Sequence, residues 1–282
     1  MSQSSISFFK RHLIAQGKRP GTVDQYTTIV DRFIREAGVP AEEVTVAHAY
    51  DFLVNRGNAS GVGSAWYNVM FHAVVAWLTM RGLSIDLQGL RPKRVPLQPP
   101  RWWTSVEVRS LLGAVEQRHF RMLFQVMLAT GLRVSEVIAV QMADLDRDRP
   151  LLRVRCGKGG DGRVVLMPPV LHGRLRDYWR SFRPTGVLFQ RCPGVDDRPM
   201  LAATVNAALQ RAGVRAGLAG QVSSHRLRHS FAIHSLRGGM DIVTLQKAMG
   251  HRCLNSTARY LTPDLIRPGV VVDLLVDLGV AP

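Results

Sequence analysis

Acidic residues are scarce in this chain of 282 residues. Only 21 Asp and Glu stand against 37 Lys and Arg, which leaves a net charge of +16 and an isoelectric point near 11.0. A deficit of that size points to a polyanionic partner. It also leaves too few clustered carboxylates for the acidic metal site of a metal-dependent nuclease. Cysteine is nearly absent as well. Cys156, Cys192 and Cys253 are odd in number, widely spaced and form no CxxC, which argues against a disulfide framework or a zinc site and for a reducing cytoplasm. No apolar run is long enough to span a bilayer, and the start, MSQSSISFFKRHLIAQG, lacks a signal peptide's apolar stretch and small-residue cleavage site.

The charge is unevenly spread. Residues 1–90 hold 8 basic against 7 acidic residues, and residues 91–282 hold 29 against 14. Of the 37 basic residues 32 are Arg. Arginine-rich codon usage accounts for Arg in place of Lys, but not for the shortage of acids.

Periodicity predicts a small all-α domain, a linker and a mainly α domain with a small β hairpin. RPGTVDQYTTIVDRFIREAG opens on a Pro-Gly turn with Thr22 as N-cap, carries Val23, Tyr26, Val30, Phe33 and Ile34 at helical spacing and ends at Gly38. GSAWYNVMFHAVVAWLTMRG repeats the pattern, with Ser64 as cap and Trp66, Val69, Met70, Ala73, Val74, Trp77 and Leu78 facing inward. Over residues 84–103 the pattern dissolves among four of the 15 prolines and several basic residues. This reads as an exposed linker, with the domain boundary at 91–101. Beyond it, TSVEVRSLLGAV starts a helix at a Thr or Ser cap, and FRMLFQVMLATG is apolar nearly all round, as a central buried helix should be. LLRVRC and GRVVLMP flank GKGGD as a hairpin, and helical patterns return from about 201 to 260.

The chemistry-bearing stretches lie in the second part. In HRLRHSFAIH, helical spacing puts His225, Arg228 and His229 on one face. A His pair at i and i+4 is a common metal ligand set. Here, however, Arg226 and Arg228 would repel a cation and no carboxylate is near, so the arrangement suits an oxyanion. In ATGLRVSEVIAV, Thr130 and Gly131 break the buried helix and Arg133 falls in the first turn of the next. It awaits either an anion or an ion pair with Glu136. Glycines at 157, 159, 160 and 162 make a tip that presents Lys158, either as a solvated hairpin lysine or as a proton donor that Arg cannot replace. In MGHRCLNSTARYLTP, His251 follows a glycine and Tyr260 lies nine residues later. That tyrosine either packs or acts as a nucleophile, whose free phenol, with a pKa of roughly 10, would need help.

Taken together, in this order and spacing, ATGLRVSE, GKG, HRLRHSFAIH and MGHRCLNSTARY resemble the tyrosine recombinase (phage integrase) family, its simple Xer-like members most closely. The resemblance is close over 102–262 and looser over 1–90. It implies a helical, SAM-like DNA-clamping domain over 1–90 and a mixed α/β, mostly helical catalytic domain over 102–282. By the same resemblance, Arg133 and Arg228 would hold the non-bridging oxygens of a scissile phosphate, and Tyr260 would attack phosphorus to form a 3′-phosphotyrosine. Lys158 would protonate the departing 5′ oxygen, His225 would assist proton transfer, His251 would hydrogen-bond the phosphate and Glu136 would orient its neighbours. No metal, ATP or other cofactor is expected. The implied partner is double-stranded DNA bearing a specific recombination site, engaged in the cytoplasm by a homotetramer spanning two sites.

The chain departs from the family pattern in three places. Asp161 stands where relatives often carry a second basic residue, Met249 replaces the usual Leu before Gly-His, and the first domain is near neutral although a DNA clamp should be basic. Its cations Lys10, Arg11, Lys18 and Arg19 would have to gather on one face. At the other end, Val271, Leu274, Leu275 and Leu278 form one stripe of a helix from about 270. In relatives such a terminal helix docks on a neighbouring subunit; the alternative is packing against its own domain. Two other activities fit parts of the pattern: type IB topoisomerase-like relaxation, and DNA binding by a catalytically silent regulator. The latter would need neither Tyr260 nor Lys158.

Overall fold

The computed structural model describes residues 2–58, 63–83, 90, 100–155, 162–218 and 222–261. Its contacts divide the chain into two units, 1–97 and 98–282. No helix among the described residues is long and apolar enough to cross a membrane.

The first unit holds α1 (Ser2–Ala15), α2 (Pro20–Ala37), α3 (Val46–Asn58) and α4 (Ser64–Met80). Helix α2 packs against α1 and α4, and α3 packs against α4. Phe33 lies at the centre, 5.1 Å from the Phe52 ring and edge-on to Trp77 at 5.7 Å. The start of α2 differs from expectation. Arg19, in extended conformation, is the N-cap and Pro20 opens the helix, so Thr22 lies inside the first turn. A residue before proline is driven to extended geometry, and proline's missing N–H is no loss at a helix start. Similarly Gly63, not Ser64, caps α4. Trp66, expected inside, is 45% exposed, and Tyr67 is buried instead. The two residues flank the apolar stripe at nearly equal angles, so the helical period does not choose between them. Lys10 and Arg11 on α1, and Lys18 and Arg19 at the α1–α2 corner, are all exposed, with Lys10 3.4 Å from Asp24.

The second unit is built around α6 (Arg118–Thr130), which buries Phe120, Met122, Leu123, Phe124, Val126 and Met127. Helices α5 (Ser105–Gly113), α8 (Pro169–Phe182) and α10 (Ser224–Arg237) pack against it, α9 (Ala202–Arg215) lies on α5, and α7 (Val134–Ile138) follows α6 directly. Strands β1 (Leu151–Val154) and β2 (Arg163–Leu166) pair antiparallel, with Leu151 opposite Leu166 and Val154 opposite Arg163. Just past the end of β1, Arg155 Nε donates to buried Asp144 at 2.7 Å. Helices α11 (Ile242–Met249) and α12 (Asn255–Ala258) complete the unit.

Thr104 and Glu107 form a reciprocal capping box at the start of α5. The preceding tryptophans are not exposed linker. Trp103 is fully buried, its backbone N–H donates to Ser230 Oγ at 2.8 Å, and its carbonyl accepts from His234 Nε2 at 2.8 Å. Arg237 lies over the Trp102 ring at 4.3 Å and Arg226 over Trp103 at 4.8 Å. This segment is therefore fastened along α10, because two large aromatic faces gain more by covering that helix than by facing water.

Gly131 joins α6 to α7 with φ of +66°, and a Cβ there would lie 2.3 Å from the Phe231 ring. Gly217 has a similar φ of +69° but open space around it. Gly131→Ala should therefore destabilise the protein more than Gly217→Ala, by about 1–3 kcal/mol of steric cost beyond the shared backbone strain. Urea denaturation of the two variants measures the difference; equal losses would show that α10 yields freely at this contact.

Candidate active site

Glu136, on α7, is the meeting point of three arginines. Arg163 binds its carboxylate with both terminal nitrogens, at 3.0 and 2.9 Å. Arg133 donates from its backbone N–H at 2.8 Å and from its guanidinium at 2.9 Å, and Arg228 Nη1 lies 3.8 Å away. Burial alone would raise the Glu136 pKa. The hydrogen bonds and charges of Arg163 and Arg133 overcome it and hold the carboxyl at about 2. The four side chains carry three positive charges and one negative, so the cluster keeps an excess of two positive charges.

Arg228 is the most enclosed of the three, with 5% of its side chain exposed. It reaches from α10 to the ends of two other helices, donating to the Gly131 carbonyl at the end of α6 and to the Met249 carbonyl at the end of α11, the latter at 2.6 Å. Burial, with Arg133 beside it, lowers its pKa to about 10, which leaves it charged at neutral pH. Arg163 Nε donates to the Ala248 carbonyl at 2.9 Å. The next turn, Gly250, has φ of +63°, and a Cβ there would lie 2.7 Å from Arg163 Nη1. Hairpin, α7, α10 and the end of α11 are thus fastened at one point.

Tyr260 comes to this point within its own chain. It is 2% exposed, and its ring neighbours two histidines. His251 is nearly parallel to it, with centroids 6.4 Å apart, and His229 is tilted at 5.6 Å. The Tyr260 hydroxyl is 2.8 Å from His229 Nδ1, and His251 Nδ1 is 2.8 Å from the hydroxyl of buried Thr257. Burial raises the phenol above its usual 10, although Arg228, Arg259 and Arg133 pull the other way. Both histidines are held near 4, by burial first and then by surrounding cations, Arg259 leading for His229 and Arg228 for His251. At neutral pH the site therefore holds a protonated phenol beside two neutral imidazoles.

Of the residues singled out from sequence, Arg133, Glu136, Arg228, His251 and Tyr260 converge here. Arg133 is the residue before α7 rather than part of its first turn. His225 is exposed in the first turn of α10. Lys158, Asp161 and the stripe from 271 to 278 lie outside the described residues. Arg163 was not anticipated, and His229 was placed on the face of His225 and Arg228 without a role of its own. Arg163 had a legible signal: Val165 and Met167 are buried, so strand alternation turns residue 163 inward too. Helical spacing gave the face of His229 but not its pairing, because Tyr260 is 31 positions away.

Residues 101–265, more than half of the chain, match the phage integrase family. Tyrosine recombinase XerA of Thermococcus kodakarensis is 32% identical over 262 residues, which cover 90% of this chain and 89% of the relative. A putative integrase/recombinase, y4eF, of Sinorhizobium fredii is 38% identical over 173 residues, 60% of this chain and 66% of its own length. In fold, the chain is similar to XerH site-specific recombinase bound to difH substrate, with a TM-score of 0.70 at 18% identity over 92% of this chain and 81% of that one. It is also similar to a lambda integrase dimer bound to a COC′ core site, with a TM-score of 0.71 at 16% identity over 92% and 94%. The chain belongs to the phage integrase family and is a tyrosine recombinase.

The Glu136 cluster should appear in the acid stability of the fold. A carboxyl held at about 2 instead of 4.5 favours the native state once ionised. The gain is on the order of 3 kcal/mol, complete above pH 4.5 and lost as pH falls toward 2. His229 and His251, held near 4 instead of 6.5, act over a higher range, their contribution fading from pH 6.5 down to 4. The melting temperature should begin to fall below pH 6.5, and Glu136→Gln should lie below wild type at pH 7 yet lose less between pH 4.5 and 2. Parallel curves for the two proteins in that lower range would contradict the assignment.

Proposed function

We propose that this tyrosine recombinase cuts and rejoins DNA strands at a specific site by forming a 3′-phosphotyrosine through Tyr260. The observation that carries the reading is the Tyr260 hydroxyl beside a guanidinium cluster with two uncompensated positive charges. A phosphodiester carries one negative charge, and its adduct with an attacking phenolate carries two. Fixed cations therefore favour the transition state over the ground state. Arg133 and Arg228 hold the non-bridging oxygens, His251 donates to the phosphate and Lys158 protonates the departing 5′ oxygen. Arginines supply the charge that a metal ion would otherwise bring, and the phosphotyrosine keeps the energy of the cut bond, so ATP is not needed. A 5′ hydroxyl from a second duplex then attacks the phosphotyrosine, which exchanges strands.

The first unit acts as a clamp on the duplex. It works with few cations because the second part of the sequence brings 29 of the 37 basic residues. Four copies act on two DNA sites, in the cytoplasm on nucleoid DNA, linked through the apolar stripe near the C-terminus.

A nicked duplex that loses its 5′ fragment on cleavage tests the chemistry by trapping a covalent adduct. Wild type should accumulate adduct in the presence of a chelator, Tyr260→Phe should give none, and Arg228→Ala should slow its formation by roughly 10²–10³-fold. Adduct formation by Tyr260→Phe would overturn the reading.

Removing residues 268–282 tests the assembly. Binding to a single site should persist while pairing of two sites is lost, as read by gel mobility; paired complexes from the truncated protein would place the subunit link elsewhere.

A further inference from the structure

We propose that His229, rather than His225, is the base that takes the Tyr260 proton, an assignment that rests on the strand-cleaving reading above and on the 2.8 Å separation of His229 Nδ1 from the phenolic oxygen. None of the other histidines of the cluster is placed for the task. His225 is exposed in the first turn of α10. The His251 ring is nearly parallel to the tyrosine ring with centroids 6.4 Å apart, and its Nδ1 is engaged by Thr257 at 2.8 Å. His229 projects from α10 one residue after Arg228, so the helix that supplies a phosphate-holding cation also supplies the proton acceptor.

Charge keeps one His229 ring nitrogen free of a proton, and in the proposed role that nitrogen is Nδ1. His229 faces His225 and Arg228 from its own helix, Arg259 and Tyr260 from the segment after α12, and His251 from the turn after α11. Burial among these groups keeps the imidazole neutral; the proposed role puts its proton on Nε2 and leaves the Nδ1 lone pair toward Tyr260. The phenol therefore donates, and its own lone pairs remain available to phosphorus. When a phosphodiester joins the arginines, its negative charge offsets their pull and His229 becomes more basic at the moment a base is needed. The O–H proton then passes to Nδ1 as the phenolic oxygen bonds to phosphorus and the bond to the 5′ oxygen breaks. That oxygen takes its proton from Lys158. On rejoining, the imidazolium returns its proton to the departing phenolic oxygen, so one group serves both directions.

The test compares wild type with His229→Asn, whose amide oxygen can accept the hydrogen bond but cannot carry the proton, in single-turnover adduct formation on the nicked duplex. We expect unchanged DNA binding in gel shifts and an adduct rate lower by about 10²-fold. A substrate with sulfur replacing the bridging 5′ oxygen, which leaves without a proton, should rescue Lys158→Ala but not His229→Asn. Should His229→Asn melt early, His229→Ala with added imidazole supplies the second measurement, and adduct formation should recover as the neutral imidazole concentration rises. A His229→Asn rate within threefold of wild type, or its rescue by the sulfur substrate, overturns the assignment; so does His229→Ala unresponsive to imidazole. A wild-type protein that forms no adduct overturns the underlying cleavage reading as well.

Discussion

A single carboxylate, Glu136, holds three guanidiniums that would otherwise repel one another. Each arginine comes from a different element: Arg133 from the turn before α7, Arg163 from β2 and Arg228 from α10. Like charges so close in a poorly solvated place require an opposite charge in contact with them, and the penalty for removing one partner of such a set exceeds what the set itself contributes. Glu136 supplies that contact, yet it balances only one of the three charges. The cluster is held together without being neutralised, and that incomplete neutralisation equips it for an oxyanion.

The backbone is shaped around this constraint. Gly131 must be left-handed to end α6, must lack a Cβ because Phe231 lies against it, and offers its carbonyl to Arg228. Gly250 repeats the arrangement at the end of α11, with the Arg163 guanidinium in place of the ring and the neighbouring Met249 carbonyl on Arg228. Two helix ends therefore direct carbonyls, the negative poles of their dipoles, at one buried cation. The Trp102–Trp103 segment along α10 adds a further tie to the helix that carries both Arg228 and His229.

Sequence periodicity revealed the parts of this scheme that depend on local order. The helices, the hairpin, the Gly38 stop and the inward stripe of α2 follow from spacing, because each is decided within a few residues. Arg133, Arg228, His251 and Tyr260 were legible through motifs whose order is fixed along the chain. What spacing did not reveal depends on contacts made across long separations. Trp103 reads as linker because its partners Ser230 and His234 are more than 120 positions away. His229 reads as one of several basic groups on a helix face until Tyr260 is brought to it. Arg163 falls between these cases, since alternation turns it inward but only the fold shows that Glu136 waits there. Trp66 and Tyr67 show the opposite limit, where a purely local pattern offers two nearly equal answers.

An unneutralised cluster also has thermodynamic consequences for the free protein. Burial and neighbouring cations lower the Arg228 pKa to about 10 and hold both histidines near 4, so added positive charge is disfavoured throughout the site. Each of those shifts expresses burial first and repulsion second, neither of which the unfolded chain experiences. A bound phosphodiester would relieve that repulsion in the native state alone, because only the folded chain brings the three arginines together. Binding energy at the phosphate thus includes the release of native-state repulsion as well as direct attraction. The same feature makes the site selective for anions: a neutral ligand of similar shape could fill the space but would relieve nothing. Glu136 in this view sets the balance. A second carboxylate would quiet the cluster and weaken its hold on phosphate, and none at all would leave three cations held together at a cost to the fold.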